Sequence, residues 1–481
     1  PGGEDAEMVA AAIRKKAAAR ERGGAAVHGC VDAVLAAARV ATFEEGLAKE
    51  KEIFERLLGR SEQGRARRYA FFAERRATSG GVSKAALGAA MPVTSPADKR
   101  NKIGVVGAGL MGGGIVINFL RAGYDVALVD KDDGSLGRGA ETIRRQLARH
   151  KARRAGTLST STDLTSLAGC RLVVEAVFEN LELKKTIFRS LNTIVLAPDP
   201  HAICCTNTST LDVDAVAAVT SAPERVMGMH FFSPAHLMRL VENVQGRRTS
   251  PVTLAAITAY CRHIKKVAVM VQNGKNGFVG NRMLDPFTSE AMFLLEDGAS
   301  PSDVDRALTD FGMKAGPLQI SDIAGLDINY LIRKEKGLLA REDGSPGPNR
   351  RPGEDYCEIT DDLYALLGRR GQKNGRGFFD YDPKVAKGRA PLPSPEVDAF
   401  LAKHRALIGR TEARVPPPGE VVLRTLLGLV NEGFKLLAEG VAANPSDVDV
   451  IYLNGYGWPV WRGGAPYWGG ETGGGAAGGQ K

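Results

Sequence analysis

The stretch that most restricts this chain is KIGVVGAGLMGGGIVINFLRAGYDVALVDKD, residues 102–132. A β-rich apolar run, Ile103 to Val106, meets a glycine turn, then a helical pattern up to Gly123, then a second strand-like run, Val126 to Val129, that ends at Asp130. Gly107, Gly109 and Gly112 form G-x-G-x-x-G between strand and helix, the context that a dinucleotide-binding turn requires. Gly107 makes the tight turn, Gly109 lets the backbone approach a pyrophosphate, and Gly112 permits close helix–strand packing. Leu110 and Met111 fill the turn and are counted with the cofactor-binding residues. The helix N-terminus supplies the anion site. Asp130 is expected to accept hydrogen bonds from the adenosine ribose and to repel a 2′-phosphate, favouring NAD over NADP. The plainer alternative is that the glycines serve only a tight turn. Two more apolar runs, RLVVEAVFE and HAICCTNTST, continue the alternation of a parallel sheet covered by helices.

With 481 residues the chain is long enough for about three domains. A composition of 43% hydrophobic and 25% charged residues is that of a globular protein. No apolar run approaches the roughly 20 residues of a membrane span, and Asp5, Glu7 and Arg14 bracket the apolar part of the N-terminus, unlike a secretory signal. Six cysteines without C-x-x-C spacing read as reduced thiols of an intracellular protein, Cys204 and Cys205 as core residues. Histidines and cysteines do not cluster in the sequence, so no metal site is expected. The net charge of +9 lacks the aromatic interleaving of a nucleic-acid surface, and no nucleic-acid partner is expected.

Residues 1–80 read as helix. In FEEGLAKEKEIFERLL, Phe43, Leu47, Ile53, Phe54, Leu57 and Leu58 recur at near-helical spacing and form one apolar stripe. Residues 78–102 turn Gly/Ser/Pro-rich and read as a linker. After Asn281 the pattern is helical throughout, and it repeats: EAMFLLEDGASPSDVD at 290–305 matches EGFKLLAEGVAANPSDVD at 432–449, which predicts a duplicated helical domain. The glycine-rich end, ETGGGAAGGQK, is expected to be a flexible tail.

The remaining signal is MGMHFFSPAHLMRLVEN, residues 227–243. Alternation puts Met238, Leu240 and Glu242 on one strand face, where a carboxylate must reach water or find a partner. His230 is the candidate partner. Hydride transfer from an alcohol carbon needs a base for the hydroxyl proton, and imidazole suits that task. A carboxylate on the other ring nitrogen fixes the tautomer and steadies the imidazolium. A histidine near aromatics is otherwise an ordinary core residue.

Taken together, GAGLMGGGIVINFLRAGYDVALVD, VVEAVFENLELKK, TNTSTLDV, MGMHFFSPAHLMRLVE and GFVGNRML resemble the 3-hydroxyacyl-CoA dehydrogenases of fatty-acid β-oxidation. The form HFFSPAHLMRLVE is most similar to the dehydrogenase part of bifunctional enoyl-CoA hydratase/dehydrogenase enzymes, and FEEGLAKEKEIFERLLGRSEQGRARRYAFFAERR resembles their interdomain helix. The resemblance implies an α/β NAD-binding Rossmann-like domain followed by duplicated all-α domains. The expected division is a helical linker region at 1–98, the NAD-binding domain at 99–278, a first helical domain at 279–384 and a second, shortened one at 385–481. It also implies an acyl-CoA substrate, with His230 as general base, Glu242 as its partner, and Ser209 and Asn281 holding the substrate's 3-oxygen and thioester region. Glu179, Lys184 and Asn207 would line the nicotinamide ribose. As simpler readings, Ser209 serves a turn or helix cap, Asn281 a helix cap, and Glu179 with Lys184 a surface ion pair. The basic segment RRQLARHKARR, 144–154, is the nearest to serve CoA phosphates, or else a solvated helix face.

Against the family pattern the chain is shorter before its third apolar run, ends early in the second helical copy, and has too few residues ahead of the linker for a hydratase core. The stripe at 43–58 would then lack its usual cover and favour self-association or disorder. The implied location is a peroxisome-type organelle or a bacterial cytoplasm. Another NAD(P)-dependent hydroxyacid dehydrogenase, or a non-catalytic NAD(H)-binding relative, are the competing readings.

Overall fold

The computed structural model describes residues 3–78, 81–149, 155–274, 277–341, 345–350, 355–412 and 414–477. The chain forms two compact units, one of residues 66–282, 433–456 and 462–481, the other of residues 1–65, 283–432 and 457–461.

The first unit is built on one eight-stranded sheet. Its strands are β1 (Ile103–Val106), β2 (Val126–Val129), β3 (Leu158–Ser161), β4 (Leu172–Glu175), β5 (Ile203–Thr206), β6 (Val226–Phe231), β7 (Leu240–Gln245) and β8 (Val267–Gln272). They lie in the order β3-β2-β1-β4-β5-β6-β7-β8, parallel from β3 to β6, with β7 antiparallel to β6 and β8 parallel to β7. Both faces are covered, so the strands read as apolar runs without polar alternation. Successive residues feed opposite faces: Val105, Val174 and Cys205 enter one core with Ile115 and Phe119, whereas Val106, Val173 and Cys204 enter another with Phe188 and Leu191. The adjacent cysteines thus sit one on each face, and burial pushes both thiols up, which keeps them protonated and inert. β3 has no signal in the sequence because Ser159 and Thr160 are exposed on an edge strand.

The linker expected at 78–102 is instead partly an ordered helix, Lys84–Val93. Ser83 caps it by accepting the Ala86 N–H, and Leu87 and Ala90 pack on Ala255 and Ala259. Tyr124 Oη donates to the Thr94 carbonyl at 2.6 Å, and Tyr260 Oη to Asn101 Oδ1 at 3.2 Å. An alanine-rich run with leucine one turn before alanine was enough for a helix once a partner surface existed. The glycine-rich end also departs from its reading, since the helix Ala465–Ala477 runs into it.

In the second unit the apolar stripe lies on the helix Phe43–Phe54 and just beyond it, with Phe43 80%, Leu47 54% and Phe54 59% exposed. The sequence reading of unclustered histidines and cysteines needs correction: Glu296, Cys357 and His404 bring ligand-type atoms within 4.8 Å of one another. Glu296 already accepts from His404 Nε2 at 3.2 Å and lies 3.9 Å from Arg410, so its charge is answered within the protein.

The repeat is a repeat of structure. The helices Val279–Asp297 and Pro301–Phe311 correspond to Pro418–Ala438 and Pro445–Gly455. Each copy buries the last aspartate of its SDVD segment under the start of a following helix: Asp305 accepts the Leu318 and Gln319 N–H groups, and Asp449 accepts that of Tyr467. Burial lifts both carboxyls to about 7. A carboxyl whose folded pKa exceeds its unfolded value of about 4 favours the folded state fully below that value, and the benefit is lost as pH rises through the folded pKa. Stability at these sites should therefore decline between about pH 4 and pH 7. Thermal melts across that range should show Asp449→Asn, which cannot ionise, losing less than the wild type as pH rises; parallel curves would refute the assignment.

Candidate active site

The glycine turn lies at β1 and the start of the helix Leu110–Ala122, where the strand order reverses between β1 and β4, the place where open α/β sheets bind ligands. Gly107 has φ of 105°, and a Cβ on Gly112 would stand 1.8 Å from the Gly107 carbonyl oxygen, so both positions exclude other residues. A Cβ on Gly109 would meet nothing within 4 Å, which leaves this backbone open to a pyrophosphate. Gly109 caps the helix without a side-chain bond, so the helix keeps N–H groups for an anion. Leu110 is exposed and Met111 half-buried beside them. At the end of β2, Asp130 Oδ2 accepts the Ala108 N–H at 2.6 Å and Oδ1 the Lys131 N–H at 2.7 Å. Each oxygen keeps a lone pair for a ribose hydroxyl. These residues fit a dinucleotide.

Beyond β4 the sequence reading changes. Lys184 and Glu179 are not a surface pair: Lys184 is 1% exposed, and its Nζ lies 2.7 Å from Glu175 Oε1 and 3.4 Å from Glu179 Oε2. Glu175 is the residue that sequence reasoning missed. It closes β4, is fully buried, and also accepts the Val177 N–H and the Thr206 hydroxyl, each at 2.7 Å. The signal was present, since a carboxylate inside LVVEAV raises the same question as Glu242. Glu179 in turn gathers the loop after β5 by accepting the Thr208 hydroxyl, the Ser209 N–H and the Ser209 hydroxyl at 2.6, 2.7 and 3.1 Å. Burial works against its ionisation, but Lys184 and these donors outweigh burial and hold its carboxyl below the usual range. The local turn bonds belong to Thr208, whose Oγ1 accepts the Leu211 N–H at 2.9 Å, so Ser209 is not the turn residue. Asn207, just after β5, reaches both neighbouring strands: its N–H donates to the Glu175 carbonyl of β4 and its Oδ1 accepts the Phe231 N–H of β6.

His230 and Glu242 stand directly opposite in the antiparallel β6–β7 pair, which puts their side chains on one face. His230 Nδ1 is 2.8 Å from Glu242 Oε2, with His230 7% and Glu242 0% exposed. Glu242 Oε1 accepts the Gly280 N–H at 2.9 Å, so both oxygens are engaged. Nε2 of His230 makes no hydrogen bond to any described residue. The connection between the two strands is stapled by Lys266, whose Nζ donates to the Ala235 and Met238 carbonyls, and by Asn118 Nδ2 on Ala235. Asn281 sits in the first turn of Val279–Asp297, but its side chain turns away from the helix N–H groups: Oδ1 accepts the Tyr456 hydroxyl at 2.9 Å and Nδ2 lies 3.5 Å from the Ser209 carbonyl. It is not a cap. The structure thus groups Ser209 and Asn281 with each other, and His230 with Glu242 and Gly280, the residue next to Asn281. No described helix is long and apolar enough to cross a membrane.

The model of the 3-hydroxyacyl-CoA dehydrogenase NAD binding domain matches residues 102–274, and that of the C-terminal domain of the same enzymes matches 277–381. NAD is therefore the cofactor of the sheet unit. The chain is similar to the peroxisomal bifunctional enzyme of Homo sapiens, 42% identical over 456 residues, which cover 92% of this chain and 61% of that protein. It is 32% identical to a peroxisomal fatty acid beta-oxidation multifunctional protein of Arabidopsis thaliana, covering 92% of this chain and 59% of the relative. Among solved structures, the dehydrogenase part of multifunctional enzyme 1 from C. elegans matches with 30% identity and a TM-score of 0.53, over 76% of this chain and 80% of that one. The chain spans about three fifths of the length of these curated relatives. Both family segments, in order and adjoining, contain the glycine turn, the His230–Glu242 pair and Asn281: the chain belongs to the 3-hydroxyacyl-CoA dehydrogenase family.

Proposed function

We propose that this chain oxidises a (3S)-3-hydroxyacyl-CoA to the 3-ketoacyl-CoA in fatty-acid β-oxidation, and runs the reverse reduction. The observation that carries the reading is the buried 2.8 Å contact between His230 Nδ1 and Glu242 Oε2. NAD, when bound, supplies the nicotinamide carbon that accepts the hydride from C3. Nε2 of His230 takes the 3-hydroxyl proton in oxidation and returns it in reduction. Glu242 keeps the proton on Nδ1, so that Nε2 is the basic nitrogen, and stabilises the imidazolium that forms. Ser209 and Asn281 hold the substrate's 3-oxygen and thioester region. Asp130 holds the adenosine ribose and favours NAD over NADP, while Glu179, Lys184 and Asn207 shape the nicotinamide-ribose side, Lys184 acting through its two glutamates. Arg144, Arg145 and Arg149, exposed at the end of the helix Asp133–Ala148, would meet CoA phosphates; the rest of that basic segment, 150–154, lies outside the described residues. The names of the curated relatives support a peroxisomal site of action. The two matched segments, 102–274 and 277–381, support an NAD-binding domain at 99–278 and a helical domain at 279–384; the helical region at 1–98 and the second helical domain at 385–481 complete the proposed division.

Purified chain mixed with NADH and acetoacetyl-CoA should consume NADH absorbance at a rate that saturates with the thioester. Tight NADH binding without consumption would instead make it a non-catalytic relative.

A further inference from the structure

Two tyrosines of the second helical copy reach the two residues that follow Val279. Tyr452 Oη donates to the Gly280 carbonyl at 3.1 Å, and Tyr456 Oη to Asn281 Oδ1 at 2.9 Å. Their rings stack at 4.6 Å. The Tyr456 ring stands edge-on to Phe232 at 5.5 Å, and Phe232 packs on the His230 ring at 4.5 Å. A Cβ on Gly280 would stand 2.4 Å from Tyr456 Oη, so this position must be glycine for the hydroxyl to come so close. Since Gly280 N–H also donates to Glu242, one peptide segment is held by the general base's partner on one side and by Tyr452 on the other.

We propose that Tyr456 is a positioning residue for the dehydrogenase site, fixing the amide of Asn281 so that Nδ2 is the end offered to the substrate. This rests on the activity proposed above. A phenol hydroxyl can donate or accept, so the Ser209 carbonyl, which only accepts and lies 3.5 Å from Nδ2, sets which end of the amide is which; the Tyr456 hydroxyl donating to Oδ1 holds it there, and the second Nδ2 hydrogen is left for the substrate. Burial, and after it Glu242, raises the Tyr456 hydroxyl well above its usual range, which keeps it a neutral donor at working pH. The two helical copies make the assignment specific. Aligning SDVD at 302–305 with SDVD at 446–449 puts Leu308 and Gly312 where Tyr452 and Tyr456 stand. Gly312 and Tyr456 are both the C-cap residues of their helices. The first copy thus ends its helix on an ordinary left-handed glycine, whereas the second carries two hydroxyls into the site.

The test is a double-mutant cycle in the whole chain, with kcat and KM for acetoacetyl-CoA reduction as the readout. Tyr456→Phe keeps the ring and removes the hydroxyl; kcat should fall about tenfold, as one hydrogen bond of roughly 1.4 kcal/mol predicts, with NADH affinity and melting temperature unchanged. In an Asn281→Ala background the same substitution should have no further effect, because the group it acts through is gone. Equal losses in both backgrounds, a melting temperature that falls with the rate, or a Tyr456→Phe chain as fast as the wild type would each overturn the positioning role alone. A wild-type chain that does not reduce acetoacetyl-CoA would overturn the activity itself, and the positioning role with it.

Discussion

His230→Gln should reduce acetoacetyl-CoA about 10²–10⁴-fold more slowly than the wild type, the usual worth of a positioned general acid or base. Glutamine is the informative replacement, because it keeps a polar amide beside Glu242 Oε2, the oxygen that His230 Nδ1 faces at 2.8 Å, but has no basic nitrogen to take the hydroxyl proton. A polar replacement spares the buried carboxylate from being left facing an apolar group in place of its one side-chain partner among the described residues, a loss that would confuse a chemical defect with a structural one. NADH affinity and melting temperature should therefore stay near their wild-type values while kcat collapses. Single-turnover kinetics with NADH and acetoacetyl-CoA separates the two. A variant within threefold of the wild-type rate would show that His230 is a core residue and that the proton moves elsewhere.

The second large effect falls on stability. Lys184→Met should destabilise the sheet unit by about 3–5 kcal/mol, the cost of leaving a buried carboxylate without its countercharge. Glu175 is fully buried, and its other partners, the Val177 N–H and the Thr206 hydroxyl, supply hydrogen bonds but no charge. Glu179 would lose a partner too, but its side chain is 34% exposed, so water can reach it there. Urea unfolding should report the loss in the midpoint. Adding Glu175→Gln to Lys184→Met should recover most of it, since the unpaired charge is then gone. If the single variant unfolds within 1 kcal/mol of the wild type, the pair is not what holds the end of β4.

What was legible in the sequence was local. The β1–turn–helix–β2 unit could be read from 31 residues, because glycines at a tight turn and apolar runs of strand length are enforced by sterics and burial within the segment itself. His230 and Glu242 were also legible as a pair, because a charged residue inside an apolar run demands a partner wherever the chain folds. The SDVD repeat announced a duplicated helical unit before any contact was known. Other features depended on neighbours remote in sequence. Lys84–Val93 became a helix because Ala255 and Ala259 offered it a face. Lys184 became a buried counterion because β4 delivers Glu175 to its ammonium. Glu296, Cys357 and His404 met although 61 and 47 residues separate consecutive members. Tyr456 reached Asn281 across 175 residues. By itself the sequence determined the cofactor turn and the pairing of His230 with Glu242, because backbone sterics and desolvation act on a residue wherever it ends up. Only the tertiary structure decided which partner each end of Asn281 meets and which glutamate lies closest to Lys184, since hydrogen bonds and ion pairs depend on ångström distances that no spacing in a chain specifies.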